Sequence, residues 1–134
     1  MVLETVLVEL LGAHQPLVDV VSDRIFPERP PIVEIDGVLE FEQPLPLLVF
    51  ATLDAEDIYD LEGNELDLHY REFAVDIWSR DALENYELRN LVKTALRVRT
   101  ATVRLVKLQT EAAINDDLGF HGQQIYRMSY KDPA

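Results

Sequence analysis

Carboxylates are the commonest chemistry-bearing groups in this sequence, and they are densest between Asp54 and Asp67. Closely spaced acids can hold a hard cation, so a calcium loop is the first chemistry to weigh. An EF-hand loop needs alternating oxygen ligands, glycine at its sixth position and glutamate at its twelfth. Counting from Asp60, Glu62 and Asn64 alternate correctly, but Glu65 stands where glycine is required. Counting from Asp54, the fifth position is Ile58. The stretch therefore reads as a solvated acidic loop. Its alternative is an enzyme that holds a metal on Asp54, Asp57 and Asp60.

Other chemistries find less support. His14, His69 and His121 lie far apart, with no spacing that seats zinc on one helix face, and each reads as a surface or loop residue. The absence of cysteine removes disulfides and thiolate metal sites. No nucleophile elbow or glycine-rich phosphate loop is present. No catalytic residue, cofactor or metal is expected. Trp78, the only tryptophan, alternates with Glu72 and Asp76 on the polar side of its segment. A large aromatic there suits an interface anchor. The alternative is that the N-terminal helix or the last strand covers it.

These residues sit on elements that the pattern of the chain predicts. Leu3, Val6, Leu7, Leu10 and Leu11 recur at helical spacing, with Gly12 as a left-handed stop. Pro16 opens a second short helix, and Ile25 and Phe26 form a short extended piece. Asp36-Gly37 between alternating residues of Ile32 to Phe41 predicts a hairpin. Leu47 to Leu53 is a β-rich run, and Gly63-Asn64 marks a turn in the acidic stretch that follows it. His69 to Ser79 alternates as a half-buried strand. Ser79 or Asp81 caps a helix from Ala82 to Val98, with Leu88, Leu91, Val92 and Ala95 as its apolar stripe. Strands over Thr100 to Thr110 and Gln124 to Tyr130 flank a loop at Asn115 to Gly119. Strands grouped around one long helix imply an α+β fold with a mostly antiparallel sheet, the N-terminal helix and the long helix packing on it.

With 134 residues, 48% hydrophobic and 28% charged, the chain suits one globular domain, 1–134, with a core of its own. The first residues lack the basic start of a secretory signal, and no run reaches the roughly 18 apolar residues of a membrane span. Synthesis in a bacterial cytoplasm, away from membranes, is the expectation. The net charge of −13 disfavours general binding to a nucleic-acid backbone. That charge is unevenly spread. Pro30 to Tyr70 contains no Lys or Arg, whereas Leu88 to Thr110 contains Arg89, Lys93, Arg97, Arg99, Arg104 and Lys107 and no acid.

The order of these segments resembles the tail completion proteins of long-tailed phages, including tail terminators of the lambda and SPP1 type. The likeness is carried by Arg24-Ile25-Phe26-Pro27 after a helix, Pro46-Leu47-Leu48-Val49-Phe50, and Phe73 to Ser79 leading into the helix from Asp81. It spans roughly Val2 to Arg97, with the hairpin at Asp36-Gly37 longer than the family pattern. The resemblance implies a hexameric ring in the virion that ends tail-tube polymerisation and joins the tail to the head neck, with DNA passing through its lumen unbound. Its partners would be further copies of itself, the tail tube protein and a neck adaptor or stopper. An acidic face carrying Asp54, Asp57 and Asp60 and a basic face carrying Arg89, Lys93, Arg97 and Arg99 could then meet between subunits, with Trp78 as an anchor. Alternatively the two charged regions satisfy each other within one subunit. A neck adaptor or stopper that grips DNA through Arg99, Arg104 and Lys107 is the competing function.

Overall fold

A computed structural model describes residues 3–59, 65–97, 103–116 and 119–131. In chain order the elements are α1 (Leu3–Gly12), α2 (Gln15–Val21), β1 (Ile25–Pro27), β2 (Ile32–Ile35), β3 (Val38–Phe41), β4 (Leu47–Tyr59), β5 (Glu65–Ser79), α3 (Ala82–Leu96), β6 (Val103–Asp116) and β7 (Gly119–Lys131). The fold is α+β. A five-stranded sheet runs β1-β4-β5-β7-β6, and β2 and β3 form a separate hairpin. Among the described residues β1 on β4 is the one parallel pair; β4–β5, β5–β7 and β6–β7 are antiparallel.

Alternation along the central strands divides the sheet into two faces. Phe73, Val75 and Ile77 of β5, Leu48 and Phe50 of β4, and Tyr126 and Met128 of β7 point into the main core. There they meet Leu7, Leu11, Leu17, Val21, Leu88, Val92 and Leu96 from the three helices. Each such side chain contributes about 1.5–3 kcal/mol when taken fully out of water. The helices form one layer, with α3 against β5 and β7 and with α1 and α2 against α3 and each other. The opposite face carries a smaller cluster, described below.

Local chemistry sets the helix and turn boundaries. Asp81 is extended (φ −152°, ψ 172°), and its side chain accepts from Glu84 N at 2.8 Å to cap α3. Glu84 in turn accepts from Arg80 N at 2.9 Å, so orphan donors at both sides of the cap are satisfied. The helix ends at Arg97. At the hairpin tip Asp36 and Gly37 have φ of 51° and 80°, the positive pair that a two-residue turn of this hand demands.

Three expectations about the elements need correction. Gly12 lies within α1 and does not stop it in a left-handed conformation; Ala13 N and His14 N close the end by bonding Glu9 O and Leu11 O. The acidic stretch is not a loop over its first part. Leu47–Leu53 continues as β4 to Tyr59, and β5 begins at Glu65, so Asp54 stands opposite Glu72 and Asp57 opposite His69. Charge density had suggested a solvated loop, but the ladder to β5 satisfies the backbone whatever the side chains carry. The 15 residues of β5 span roughly 50 Å at about 3.4 Å each, against about 22 Å for the 15 residues of α3 at 1.5 Å each. The β4–β5 arms therefore outrun the helix that covers them. Finally, the strands around Asn115 reach Asp116 and restart at Gly119, which shortens that loop. The predicted turn at Gly63-Asn64 lies outside the described residues.

Gly122 of β7 lies directly beneath α3. A Cβ there would collide with the Asn85 side-chain oxygen and come within 2.8 Å of Arg89 Cδ. Gly122→Ala is expected to cost about 1–3 kcal/mol in urea denaturation by forcing α3 off the sheet; unchanged stability would show that the helix rides freely over this strand.

Candidate functional site

Beneath α3 the sheet face is not wholly apolar. Asn85 Nδ2 donates to Ile77 O at 2.9 Å and to Phe120 O at 3.2 Å, stitching the helix to the ends of β5 and β7. Further along, Gln124 Nε2 donates to Arg89 O at 3.0 Å and to Glu111 Oε2 at 2.6 Å, while Tyr126 OH donates to Gln124 Oε1 at 2.7 Å. The other Glu111 oxygen receives Lys93 Nζ at 2.9 Å and lies 3.4 Å from Arg89 Nη1. Burial pushes the Glu111 carboxyl up, but hydrogen bonds from Gln124 and Lys93 and the charges of Lys93 and Arg89 outweigh it and leave it below its ordinary value. Burial first, and the Glu111 charge second, push the Tyr126 hydroxyl well above its ordinary value.

This network answers part of the charge question raised by the sequence. Arg89 and Lys93, expected on an intersubunit face, are engaged within the chain, and their partner is Glu111 of β6, an acid from outside both the acidic and the basic stretch. Arg97, one turn further on, is exposed. Together with Lys93 it borders a cavity of about 80 Å³ whose other walls are Leu96, Val106, Leu108 and Tyr126. The cavity thus has an apolar floor and a cationic rim. Asp54 and Asp57 lie on β4; Asp60 and Arg99 lie outside the described residues.

Trp78 is not a free anchor. It is 7% exposed and belongs to a second cluster with Leu47 and Val49, against which Phe26, Phe41 and Leu45 pack. Its ring stacks on His121 (centroids 4.0 Å apart), and Phe41 meets it edge-on at 5.7 Å. Alternation placed it correctly on the side with Glu72 and Asp76, opposite Phe73, Val75 and Ile77, and that side is covered by neither of the two elements expected, the N-terminal helix or the last strand alone. The sequence could not show that the strand β3 and the loop before β4 would fold over that face. His121 likewise is not a loop residue: it sits in β7 opposite Trp78, its Nε2 2.6 Å from Asp76 Oδ1, which also accepts from Gln123 Nε2 at 3.1 Å. Asp76 and His121 are 45 residues apart and meet only because β5 and β7 pair. Trp78 Nε1 is buried without a hydrogen-bond partner among the described residues.

The same covering act leaves a projection. Phe41 ties the root of the β2–β3 hairpin to Trp78, but Ile35, Val38 and Leu39 near its tip are 50%, 57% and 55% exposed. Register puts Ile35 opposite Val38 and Val33 opposite Glu40, so these four share one side, and Phe41 and Leu39 the other. Glu34, Asp36 and Glu40 are exposed around this tip.

Among the described residues, no group of three or more His, Asp or Glu side chains is placed to hold a metal ion, and no helix is long and apolar enough to cross a membrane. No protein-family model matches the chain, and no curated protein matches it.

Two measurements probe these sites. A carboxyl held low in the folded state stabilises fully above its unfolded pKa, near 4.5 for Glu111, and that contribution fades as pH falls through the lower folded value. Glu111→Gln should lower stability at neutral pH and flatten the loss of stability below about pH 4.5; an unchanged acid limb would refute the assignment. His121→Ala removes the stack on Trp78 and a hydrogen-bond partner of Asp76. It is expected to cost about 1–3 kcal/mol and to shift the emission of the only tryptophan to the red; emission at the wild-type wavelength would mean that other residues close over the ring.

Proposed function

We propose that the chain is a tail terminator: a non-enzymatic subunit that assembles into a ring of six copies, caps a phage-type tail tube and joins it to the head neck. The observation that carries this function is the apolar tip of the β2–β3 hairpin, three large hydrophobic side chains half-exposed on a segment that stands off the main sheet. Apolar groups grouped on a projection mark a surface that is covered in an assembly. The cationic cavity beside Arg97 lies on the helix side of the sheet, whereas the hairpin root lies on the other side. Two unlike surfaces on one subunit suit a head-to-tail contact, which closes into a ring when the rotation permits. The resemblance in segment order to tail completion proteins supplies the tube and the neck as the other partners.

A neck adaptor or stopper is the second reading, and one observation favours it. Lys107 of β6 stands opposite Arg127 of β7, both exposed on the sheet face away from the helices. Paired cations of this kind suit contact with a phosphate backbone.

Electron microscopy of the purified protein mixed with tail tubes tests the proposal. A ring at one end of tubes of fixed length is the expected result. Attachment to a portal or neck ring in place of the tube would establish the adaptor function, and attachment to neither would overturn both.

A further inference from the structure

We infer that the tip of the β2–β3 hairpin of one copy seats in the cavity between α3 and β6 of a second copy, with Ile35 and Val38 on the apolar floor and Glu40 at the Arg97 rim. This contact rests on the proposed self-assembly and specifies which surfaces form it. The two surfaces match in shape and in charge. Ile35 and Val38 are cross-strand neighbours on the side of the hairpin that faces away from Phe41, so they form one compact apolar wedge. Glu40 lies on that same side, two residues from Val38, with Asp36 in the turn beyond. The receiving cavity presents the reverse arrangement. Leu96, Val106 and Leu108 offer an apolar floor, and Lys93 and Arg97 offer positive charge at its edge. Its volume of about 80 Å³ is several times the roughly 10–15 Å³ that one water centre needs, so an aliphatic side chain can enter and displace water.

A second copy is the occupant because the same chain cannot reach its own cavity. The root of the hairpin, closed by the bond from Glu42 N to Pro31 O at 2.8 Å, is fixed on one face of the sheet by the packing of Phe41 on Trp78. The cavity opens on the other face, where Leu96, Val106, Leu108 and Tyr126 belong to the helix-side core. The five-stranded sheet lies between them. Lys93 is already held by Glu111, so the carboxylate of the incoming hairpin falls mainly to Arg97. Insertion of one wedge into an unlike pocket makes the contact heterologous, so each copy uses its hairpin on one neighbour and its cavity on the other.

Charge exchange across this contact tests it. The mass of the purified protein in solution, followed by sedimentation up to high concentration, is expected to show species above the monomer. Arg97→Glu alone and Glu40→Arg alone should each abolish them, and the double variant R97E/E40R should restore them. Because the chain has no cysteine, Val38→Cys and Val106→Cys proteins can also be mixed under oxidation, and mixed disulfides should outnumber those formed by either protein alone. A monomer at every concentration would overturn the inference, as would single variants that assemble normally or a double variant that does not recover. Tube capping distinguishes the two proposals. Charge rescue without capping would leave the contact standing and remove the terminator function; capping untouched by either charge reversal would do the opposite.

Discussion

The structure depends on burying one face of β5 and β7 beneath a single layer of helices. Phe73, Val75 and Ile77 have no exposure at all, and α3 reaches them with Leu88, Val92 and Leu96 while α1 and α2 fill the space beside it. An α3 helix of 15 residues cannot hold its place by propensity alone, because short helices are marginal in water. Its position is fixed by what it packs on, and by the Asn85 and Gln124 side chains that tie it to the strands. Gly122 supplies the close approach that this packing needs.

A helix layer on one side leaves the other side of the sheet to find its own cover. At the end near Trp78 that cover is improvised from a short hairpin and a proline-rich loop, which together bury Leu47, Val49 and the indole ring. Elsewhere on this face Ala74 and Ser129 are buried, while Glu72, Gln123 and Arg127 are half-buried or exposed. The hairpin therefore serves two ends of unequal polarity: its root completes a small core, and its tip carries apolar side chains into solvent. That division follows from register, since Phe41 and Leu39 point to one side and Val38 and Glu40 to the other.

The charge pattern acquires a different meaning in three dimensions. Two cations of the basic stretch are spent on Glu111, a partly buried carboxylate that the Gln124 amide also holds. Such a network fixes the orientation of the helix on the sheet more than it adds net stability, because taking these charges from water offsets much of their attraction. Among the described residues of that stretch, Arg97 at the end of α3 and Lys107 on the other face of the sheet remain outward, and the acids of the hairpin are exposed on the side away from Arg97. An asymmetry along the sequence has become an asymmetry across the fold.

Much of this was legible in the chain. Alternation over Phe73 to Ser79 set both faces of β5, Asp36-Gly37 set the hairpin turn, Ser79 or Asp81 marked the start of α3, and Trp78 was assigned to the polar side of its strand. These are local matters: period, positive φ and a cap need only neighbouring residues. The length of β4 was not legible, because backbone pairing with β5 overrides the loop-like composition of its acids. Nor were the partners of Trp78, of His121 and of Arg89, since each lies on another strand or helix. The sequence by itself determined which residues turn inward and where the chain turns. Only the tertiary structure decided which charges are spent within the chain and which stay exposed, because contacts between residues far apart in the chain exist only once the strands have paired.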